Sequence, residues 1–229
     1  MQRKAPYNYA VYKRILHELN MRMPDFKPKT CLDYGAGLGS AVWAMHTIFG
    51  DDGTKAMQRC AAVEPNVTMR KLGKYFSEDQ FKAPILWVDS LAMIPAGEKG
   101  KFDLIILGFV LQEVPSATQR QLVIEALWQR LSDGGVIVMV EPGSPKGFRF
   151  IHSFREWIIS TKSREEANVV APCPHMLECP LARDAQSWCH FSQMTQKYPS
   201  KIFPRRGREA DTINEKFSYL AVKKGETAA

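Results

Sequence analysis

Acidic residues end three successive predicted strands of this chain. They are Asp33, Glu64 and Asp89. Because the carboxyl ends of parallel strands meet at one edge of a sheet, a ligand at that edge would contact all three side chains. A carboxylate at the position of Asp33 suits a cationic ligand, or backbone amides around it, better than a pyrophosphate, which it would repel. The residue types therefore predict a site for a nucleoside ligand rather than for a dinucleotide.

A glycine-rich turn follows the first of these carboxylates. Gly35, Gly37 and Gly39 form G-x-G-x-G, whereas the dinucleotide fingerprint is G-x-G-x-x-G. Glycine lets the backbone pass close to a ligand, since it has no Cβ to clash, and it tolerates positive φ. A helix predicted over 40–49 would point its N-terminal amides at that ligand. A tight strand-to-helix turn without a ligand is the alternative interpretation.

Glu64 and Asp89 each have a predicted role in binding the nucleoside. Glu64 lies about 20 residues beyond the glycine turn, where a bidentate acceptor for a ribose 2′,3′-diol is expected. Its alternative role is to cap the helix that begins near Asn66. Asp89 is a candidate acceptor for the adenine exocyclic amine, and an ordinary turn carboxylate is the alternative. Both residues join Asp33 and the three glycines in the candidate cofactor site.

Cysteines form a second candidate site. Cys173, Cys179 and Cys189 give C-x5-C-x9-C, with a proline after two of the thiols. Three soft ligands in a predicted loop indicate that a metal centre holds the loop together. The spacing favours an iron–sulfur cluster, because the usual zinc pattern is C-x2-C; zinc is the alternative metal, and three unligated thiols are the other interpretation. Candidates for a fourth ligand are His175, His190, Cys31, Cys60 and a residue beyond Ala229.

Charge and composition favour one globular core with an anionic partner. The 229 residues carry a net charge of +7. A basic cluster near the carboxyl end suits RNA phosphates, and a solvated basic surface is the alternative. The cluster consists of Lys201, Arg205, Arg206 and Arg208. An odd number of cysteines favours a reducing compartment over a disulfide framework. No apolar run approaches the roughly 18 residues that span a bilayer, so we expect no membrane role.

The order of predicted elements indicates an α/β fold. Strands alternate with helices, and residues 101–108 are almost entirely apolar, as a central parallel strand should be. This pattern predicts a doubly wound, Rossmann-like sheet with helices on both faces. The predicted strands span 30–34, 60–65, 84–90, 101–108 and 136–143. Helices are predicted over 119–131 and 150–159, and another over 5–23 is expected to cover one sheet edge.

Four parts of the chain can be distinguished. They are an N-terminal helix (1–28), a nucleoside-binding core (29–147), a helix with the cysteine-rich basic segment (148–212), and a final strand with a tail (213–229). The cysteine-rich loop is therefore an insertion before the last strand. That strand, over 217–222, has an alternating pattern and is expected to join the sheet edge in antiparallel orientation.

Several short motifs together resemble one protein family. The glycine turn resembles motif I of class I S-adenosylmethionine-dependent methyltransferases. The other motifs are Ala41-Val42-Trp43-Ala44, Leu111-Gln112-Glu113, Glu141-Pro142-Gly143, Cys173-Pro174-His175, Cys179-Pro180, Trp188-Cys189-His190-Phe191 and Lys216-Phe217-Ser218-Tyr219. The whole set is similar to the methyltransferase-like assembly factors of the mitochondrial small ribosomal subunit, a family with bacterial relatives.

The resemblance implies a class I methyltransferase fold, S-adenosylmethionine as cofactor and a setting in the mitochondrial matrix. It implies as partners the small-subunit ribosomal RNA and precursor proteins of that subunit. It also implies a four-iron, four-sulfide (4Fe-4S) cluster with Cys173, Cys179 and Cys189 among its ligands. The family's fourth cysteine, expected after the Phe-Ser-Tyr strand, has no match in residues 223–229.

The residues that follow the fourth and fifth predicted strands bear on catalysis. They contain no cysteine for carbon methylation and no Asn/Asp-Pro-Pro-aromatic tetrad for amine methylation, since residues 108–111 read Gly-Phe-Val-Leu. Glu113 and Glu141 are candidate bases or structural acceptors. Two hypotheses follow: an assembly factor that uses the fold as a platform with little turnover, and an active ribosomal RNA methyltransferase.

Overall fold

The computed structural model describes residues 4–50, 57–184, 186–197 and 212–226. The strands are β1 (Thr30–Tyr34), β2 (Arg59–Val63), β3 (Ile85–Val88), β4 (Phe102–Gly108), β5 (Leu131–Pro142), β6 (Ala167–Ala171), β7 (Phe191–Gln196) and β8 (Thr212–Lys224). The helices are α1 (Ala5–Arg22), α2 (Ser40–Phe49), α3 (Val67–Ser77), α4 (Ala117–Gln129) and α5 (Pro145–Thr161). None of the helices in these ranges is long and apolar enough to cross a membrane.

The strands form one mixed sheet in the order β3-β2-β1-β4-β5-β8-β6, with β7 paired to β8. β1 to β5 are parallel, and β8 runs antiparallel to its neighbours. β4 lies at the centre and is buried along nearly its whole length, which explains its unbroken apolar sequence. The predicted α/β doubly wound sheet is therefore confirmed.

Helices cover both faces of the sheet. On one face, α1 and α2 pack through residues such as Ile15, Leu16 and Met45 against the inward side chains of the strands. On the other face, Leu127 of α4 and Phe154 of α5 pack against a second set of strand residues. Besides α2, α1 contacts β6, β7 and β8 at one side of the sheet, as expected for a helix that covers a sheet edge.

The sequence predicted that the last strand lies at the sheet edge, and this position is wrong. β8 is inserted between β5 and β6, and residues 217–222 are buried because their side chains pack alternately into the clusters on the two faces of the sheet. Its first half extends beyond β5 and pairs with β7. β6 and β7 were not predicted, since both lie in the part of the chain assigned to a helix and a loop.

Helix boundaries differ from the predicted ones for identifiable reasons. α5 begins five residues earlier than predicted, at Pro145, because the Ser144 hydroxyl accepts the Gly147 amide as an N-cap. α4 ends at Gln129, because Leu131 already pairs with Phe102 in the sheet. These changes leave the ends of β4 and β5 where the sequence placed them.

Candidate functional site

The carboxyl ends of β1, β2 and β3 are level with one another. Tyr34 pairs with Val63, and Val63 pairs with Val88. The next residues along the chain, Gly35, Glu64 and Asp89, therefore begin one row at the edge of the sheet. The Glu64 amide donates to the Val88 carbonyl at 2.9 Å, which continues the ladder to this row. Sheet register brings Glu64 and Asp89 to the same edge as the glycine turn, and Asp89 is exposed there.

Asp33 is buried one row below this edge. It is 1% exposed and shares a sheet face with Cys31, the face that α1 and α2 cover. Its Oδ2 atom has no hydrogen-bond partner among the described residues. Burial raises the pKa of Asp33 to about 7; a hydrogen bond from the Val42 amide opposes the shift, and nearby Glu64 adds to it. An unpaired buried oxygen of this kind is costly, so the site suits a donor or cation that the described chain does not supply.

Glu64 binds backbone amides at both of its oxygens. Oε2 accepts the Gly37 amide at 2.8 Å, and Oε1 accepts the Asn66 amide at 2.8 Å. The N-terminus of α3 is capped by Asn66 itself, whose Oδ1 accepts from Thr68 and Met69. Glu64 therefore ties the glycine turn to the end of β2, and a ribose would have to compete with Gly37 for Oε2.

The glycine turn needs glycine for backbone conformation at all three positions. φ is +78° at Gly35, +57° at Gly37 and +86° at Gly39. Gly35 also permits a close approach, because a Cβ built there would lie 2.1 Å from Cγ2 of Val110. Val110, in the loop after β4, thus packs directly on the bare backbone of the turn.

Glu141, at the end of β5, holds that loop. It is 1% exposed, and its Oε1 accepts the Leu111 amide at 2.9 Å. The Gln112 side chain lies 3.5 Å from Oε2. Burial raises the pKa of Glu141 to about 7, although hydrogen bonds from Leu111, Gln112 and the Val110 amide oppose the shift. Of the two candidate bases, Glu141 is therefore engaged as a structural acceptor, and Glu113 is exposed.

Tyr12 of α1 lies between the two buried carboxylates. Its hydroxyl is 2.1 Å from the position that a Cβ on Gly108 would take, and its ring lies 5.8 Å from that of Phe109. Phe109 has φ +60°, which is uncommon for a bulky residue. Burial raises the pKa of Tyr12, and Asp33 and Glu141 both add to the shift. The sequence analysis did not single out Tyr12; the one signal was Gly108 at the end of a buried strand, where the lack of a Cβ leaves room for another side chain.

The three late cysteines line one cavity. Its volume is about 40 Å³, and Cys173, Cys179 and Cys189 contribute to its wall. Burial raises the pKa of the Cys189 thiol, and Cys173 and Cys179 add to the shift. Within the described ranges, however, no group of three or more His, Cys, Asp or Glu side chains is arranged to hold a metal ion. The thiols suit a soft metal centre, but their spacing in this structure does not form one.

The structure also bears on the fourth-ligand candidates. Nδ1 of His175 accepts from the Leu177 amide at 3.2 Å, so this nitrogen is already engaged by the backbone of the segment. Nδ1 of His190 lies 3.2 Å from the Trp188 carbonyl, which leaves Nε2 free, but His190 is exposed and does not line the cavity. The other two cysteines, Cys31 and Cys60, lie opposite each other in the core.

A buried arginine of α5 holds the cysteine segment, which we define as residues 172–190. Arg155 is 5% exposed. Its Nη2 donates to the His175 carbonyl at 2.7 Å and to the Leu177 carbonyl at 2.8 Å, and lies 3.1 Å from Nδ1 of His175. At one end of the segment, Arg22 of α1 donates to the Pro172 carbonyl at 3.2 Å. Arginine donors therefore replace secondary structure in holding this backbone. The sequence reasoning missed both residues.

The residues predicted to contact RNA lie outside the described part of the chain. They are Lys201, Arg205, Arg206 and Arg208.

Comparison with known proteins relates the whole chain to one family. The family model for the mitochondrial small ribosomal subunit protein Rsm22 matches residues 1–229. The human ribosome assembly protein METTL17, mitochondrial, is 31% identical over 222 residues, covering 95% of this chain and 46% of the relative. The Saccharomyces cerevisiae ribosome assembly protein RSM22, mitochondrial, is 27% identical and covers 76% of this chain and 39% of the relative. This chain thus spans less than half the length of these two relatives.

Solved structures confirm the fold. A putative RNA methyltransferase, PH1948 from Pyrococcus horikoshii, aligns with a TM-score of 0.53 at 12% identity, over 95% of this chain and 83% of its own. The N-methyltransferase NodS from Bradyrhizobium japonicum aligns with a TM-score of 0.52 at 14% identity, over 95% and 97% of the two chains. The sheet is thus the Rossmann-like sheet of the methyltransferases, and the chain belongs to the Rsm22 family of the mitochondrial small ribosomal subunit.

Proposed function

We propose that this chain is an assembly factor for the mitochondrial small ribosomal subunit, and that it uses a methyltransferase fold as a binding platform with little or no turnover. The observation that carries the proposal is the loop after β4. Glu141, the buried carboxylate beside it, is occupied by the loop's own amides, and Val110 lies on the glycine turn. Both features stabilise the loop, and the first occupies Glu141, the buried one of the two candidate bases.

S-adenosylmethionine is the proposed ligand of the strand ends. Asp33, with its unpaired buried oxygen, would bind the cationic part of the molecule; Glu64 would bind the ribose, and Asp89 the adenine amine. The bare backbone at Gly35 and Gly37 would let the ligand approach. When bound, the cofactor supplies a methyl group on a sulfonium. Val110 would have to withdraw from Gly35 for a ligand to lie on the turn.

Catalytic activity on ribosomal RNA is the second candidate. It is favoured by the pKa of about 7 at Glu141, since a carboxyl poised near neutral pH suits proton transfer. The loop would then have to release the Glu141 oxygens before they could accept a proton from a substrate. Holding the RNA acceptor atom close to the methyl group of the cofactor, and in line with it, would supply much of the rest of the rate enhancement.

A 4Fe-4S cluster on Cys173, Cys179 and Cys189 is the proposed role of the cysteine segment, with zinc as the alternative metal. The convergence of three thiols on one cavity supports this proposal. A volume of about 40 Å³ holds little more than one water molecule, so the segment would have to widen around a cluster. Bound there, the cluster would lock the segment's fold.

Small-subunit ribosomal RNA, bound in the mitochondrial matrix, is the proposed partner. Lys201, Arg205, Arg206 and Arg208 would bind its phosphates, alongside contacts with the subunit's precursor proteins. The net charge of +7 supports an anionic partner.

Transfer of a labelled methyl group tests the platform against the enzyme. The full chain is incubated with radiolabelled S-adenosylmethionine and immature small subunits, and cofactor retention is measured beside label in the RNA. The platform predicts retention that Asp33→Asn abolishes, with no label in the RNA. Multiple turnovers that Asp33→Asn or Glu141→Gln abolishes would overturn it in favour of the enzyme.

A further inference from the structure

Helix α3 leaves most of its surface uncovered. Among its eleven residues, only Gly73 and Ser77 are buried. Two aromatic side chains face outward: Tyr75 is 71% exposed and Phe76 is 48% exposed. Val67, in the first turn of the same helix, is 52% exposed. A cluster of exposed apolar side chains of this kind commonly marks a surface that binds a partner.

One tryptophan fastens α3 to the sheet. Trp87 of β3 packs on Gly73, where an added Cβ would lie 2.4 Å from the indole. Its Nε1 donates to the Ser77 hydroxyl at 3.2 Å. β3 is the terminal strand of the sheet, so α3 stands at the margin of the molecule. The side of α3 opposite Trp87 is therefore open to a partner.

The charge of α3 indicates what kind of partner fits. Arg70, Lys71 and Lys74 lie in the helix, and its sequence contains no acidic residue. Lys71, Lys74 and Tyr75 share one face, because residues three and four apart are neighbours on a helix. Acids follow only after the helix, at Glu78 and Asp79. Protein interfaces are depleted in lysine, whereas lysines beside open aromatic rings are typical of sites for single-stranded nucleic acid.

We propose that α3 is a stacking platform for single-stranded RNA. Bases would stack on Tyr75 and Phe76. The centroids of these two rings lie 5.7 Å apart and their planes are inclined at 63°, so each ring presents its own face. Phosphates would pair with Lys71 and Lys74. This surface is distinct from the basic segment of the proposed function. The inference rests on RNA as the partner in the proposed function and adds a second binding surface for it, which requires neither the cofactor nor the cluster.

The test measures binding of a fluorescein-labelled, unstructured 20-nucleotide RNA to the full chain over a series of salt concentrations. Tyr75→Leu and Phe76→Leu keep apolar area but remove the π-face, and each should weaken binding by roughly 5- to 150-fold. Tyr75→Phe should bind as the wild type does. Lys71→Gln with Lys74→Gln should reduce the slope of log affinity against log salt by about 0.7 per lost contact.

Control variants change an exposed apolar residue and the same number of lysines elsewhere. Leu122→Ala alters an exposed apolar residue of α4, and Lys13→Gln with Lys99→Gln gives the same change in net charge at two exposed sites. Both controls should bind as the wild type. Equal affinity of wild type and leucine variants, equal slopes for the two lysine pairs, or a preference for duplex RNA would overturn the proposal. If Tyr75→Leu and Phe76→Leu retain RNA binding but lose binding to RNA-free ribosomal proteins, the surface belongs to a protein partner. That result would also overturn the proposal.

Discussion

The strand-end site and the cysteine segment are built in different ways. At the strand ends, sheet register sets the height of Gly35, Glu64 and Asp89, and the buried core fixes the sheet. In the cysteine segment, positions depend on arginine side chains, chiefly Arg155, that donate to backbone carbonyls. A site held by a sheet should change only when the core changes. A site held by one side chain should loosen when that side chain is removed, while the core stays intact.

The largest effect is expected at the glycine turn. Gly35→Ala should lower the free energy of unfolding by roughly 2–5 kcal/mol, from a non-glycine residue at positive φ and overpacking against Val110. Gly37→Ala is the control, because its φ is also positive but a Cβ there would meet only Met69, at 3.8 Å. Chemical denaturation measures both variants. Val110→Ala should restore part of the stability of Gly35→Ala; equal costs for the two glycines would contradict the close packing.

The sequence indicated the strand-end region well for a physical reason. Central parallel strands are buried on both faces, so β4 and its neighbours appear as apolar runs, and residues at their ends follow directly. The engagement of Glu141 with Leu111 was not predictable, because it depends on the path of a loop. β8 was misplaced because its position in the strand order depends on pairing with β5 and β6, and the pattern of β8 itself does not specify those partners.

The cysteine segment was less predictable. Its thiols were visible as a spacing, yet β6 and β7 on either side of it are short and mixed in pattern. Arg155 gave no signal, since a single arginine in an amphipathic helix normally faces solvent. Contacts between side chain and backbone across the fold are not encoded in local periodicity.

A smaller and local effect is expected for Arg155→Met. The change leaves the His175 and Leu177 carbonyls without their donor; because both hydrogen bonds are only partly buried, each loss should cost less than the roughly 1–3 kcal/mol of a fully buried group. Hydrogen exchange should rise in the cysteine segment and stay unchanged in β1 and β4. Arg183→Met is the control, because Arg183 lies in the same segment, exposed and paired with Glu178 at 2.8 Å, a type of pair worth about 0–1 kcal/mol. Equal exchange in both variants would refute the role of Arg155.

The pH dependence of stability gives the most specific test. The pKa of Asp33 is raised to about 7, so the folded state binds a proton that the unfolded chain releases above about pH 4. Stability from this group is present at low pH and is lost as pH rises towards 7. Asp33→Asn removes the titration, so the curve of unfolding free energy between pH 4 and 7 should flatten. Glu98→Gln, at an exposed acid, should leave the slope unchanged; parallel wild-type and Asp33→Asn curves would contradict the burial argument.

The central claim is that the strand ends form an S-adenosylmethionine site around Asp33. Isothermal titration calorimetry of the full chain with S-adenosylmethionine tests it directly, with Glu98→Gln as the control. We expect one ligand per chain for wild type and control, and at least about a tenfold loss of affinity for Asp33→Asn, since about 1.4 kcal/mol of charge–charge attraction corresponds to that factor. Wild type that binds no S-adenosylmethionine, or Asp33→Asn that binds it with unchanged affinity, would contradict the account.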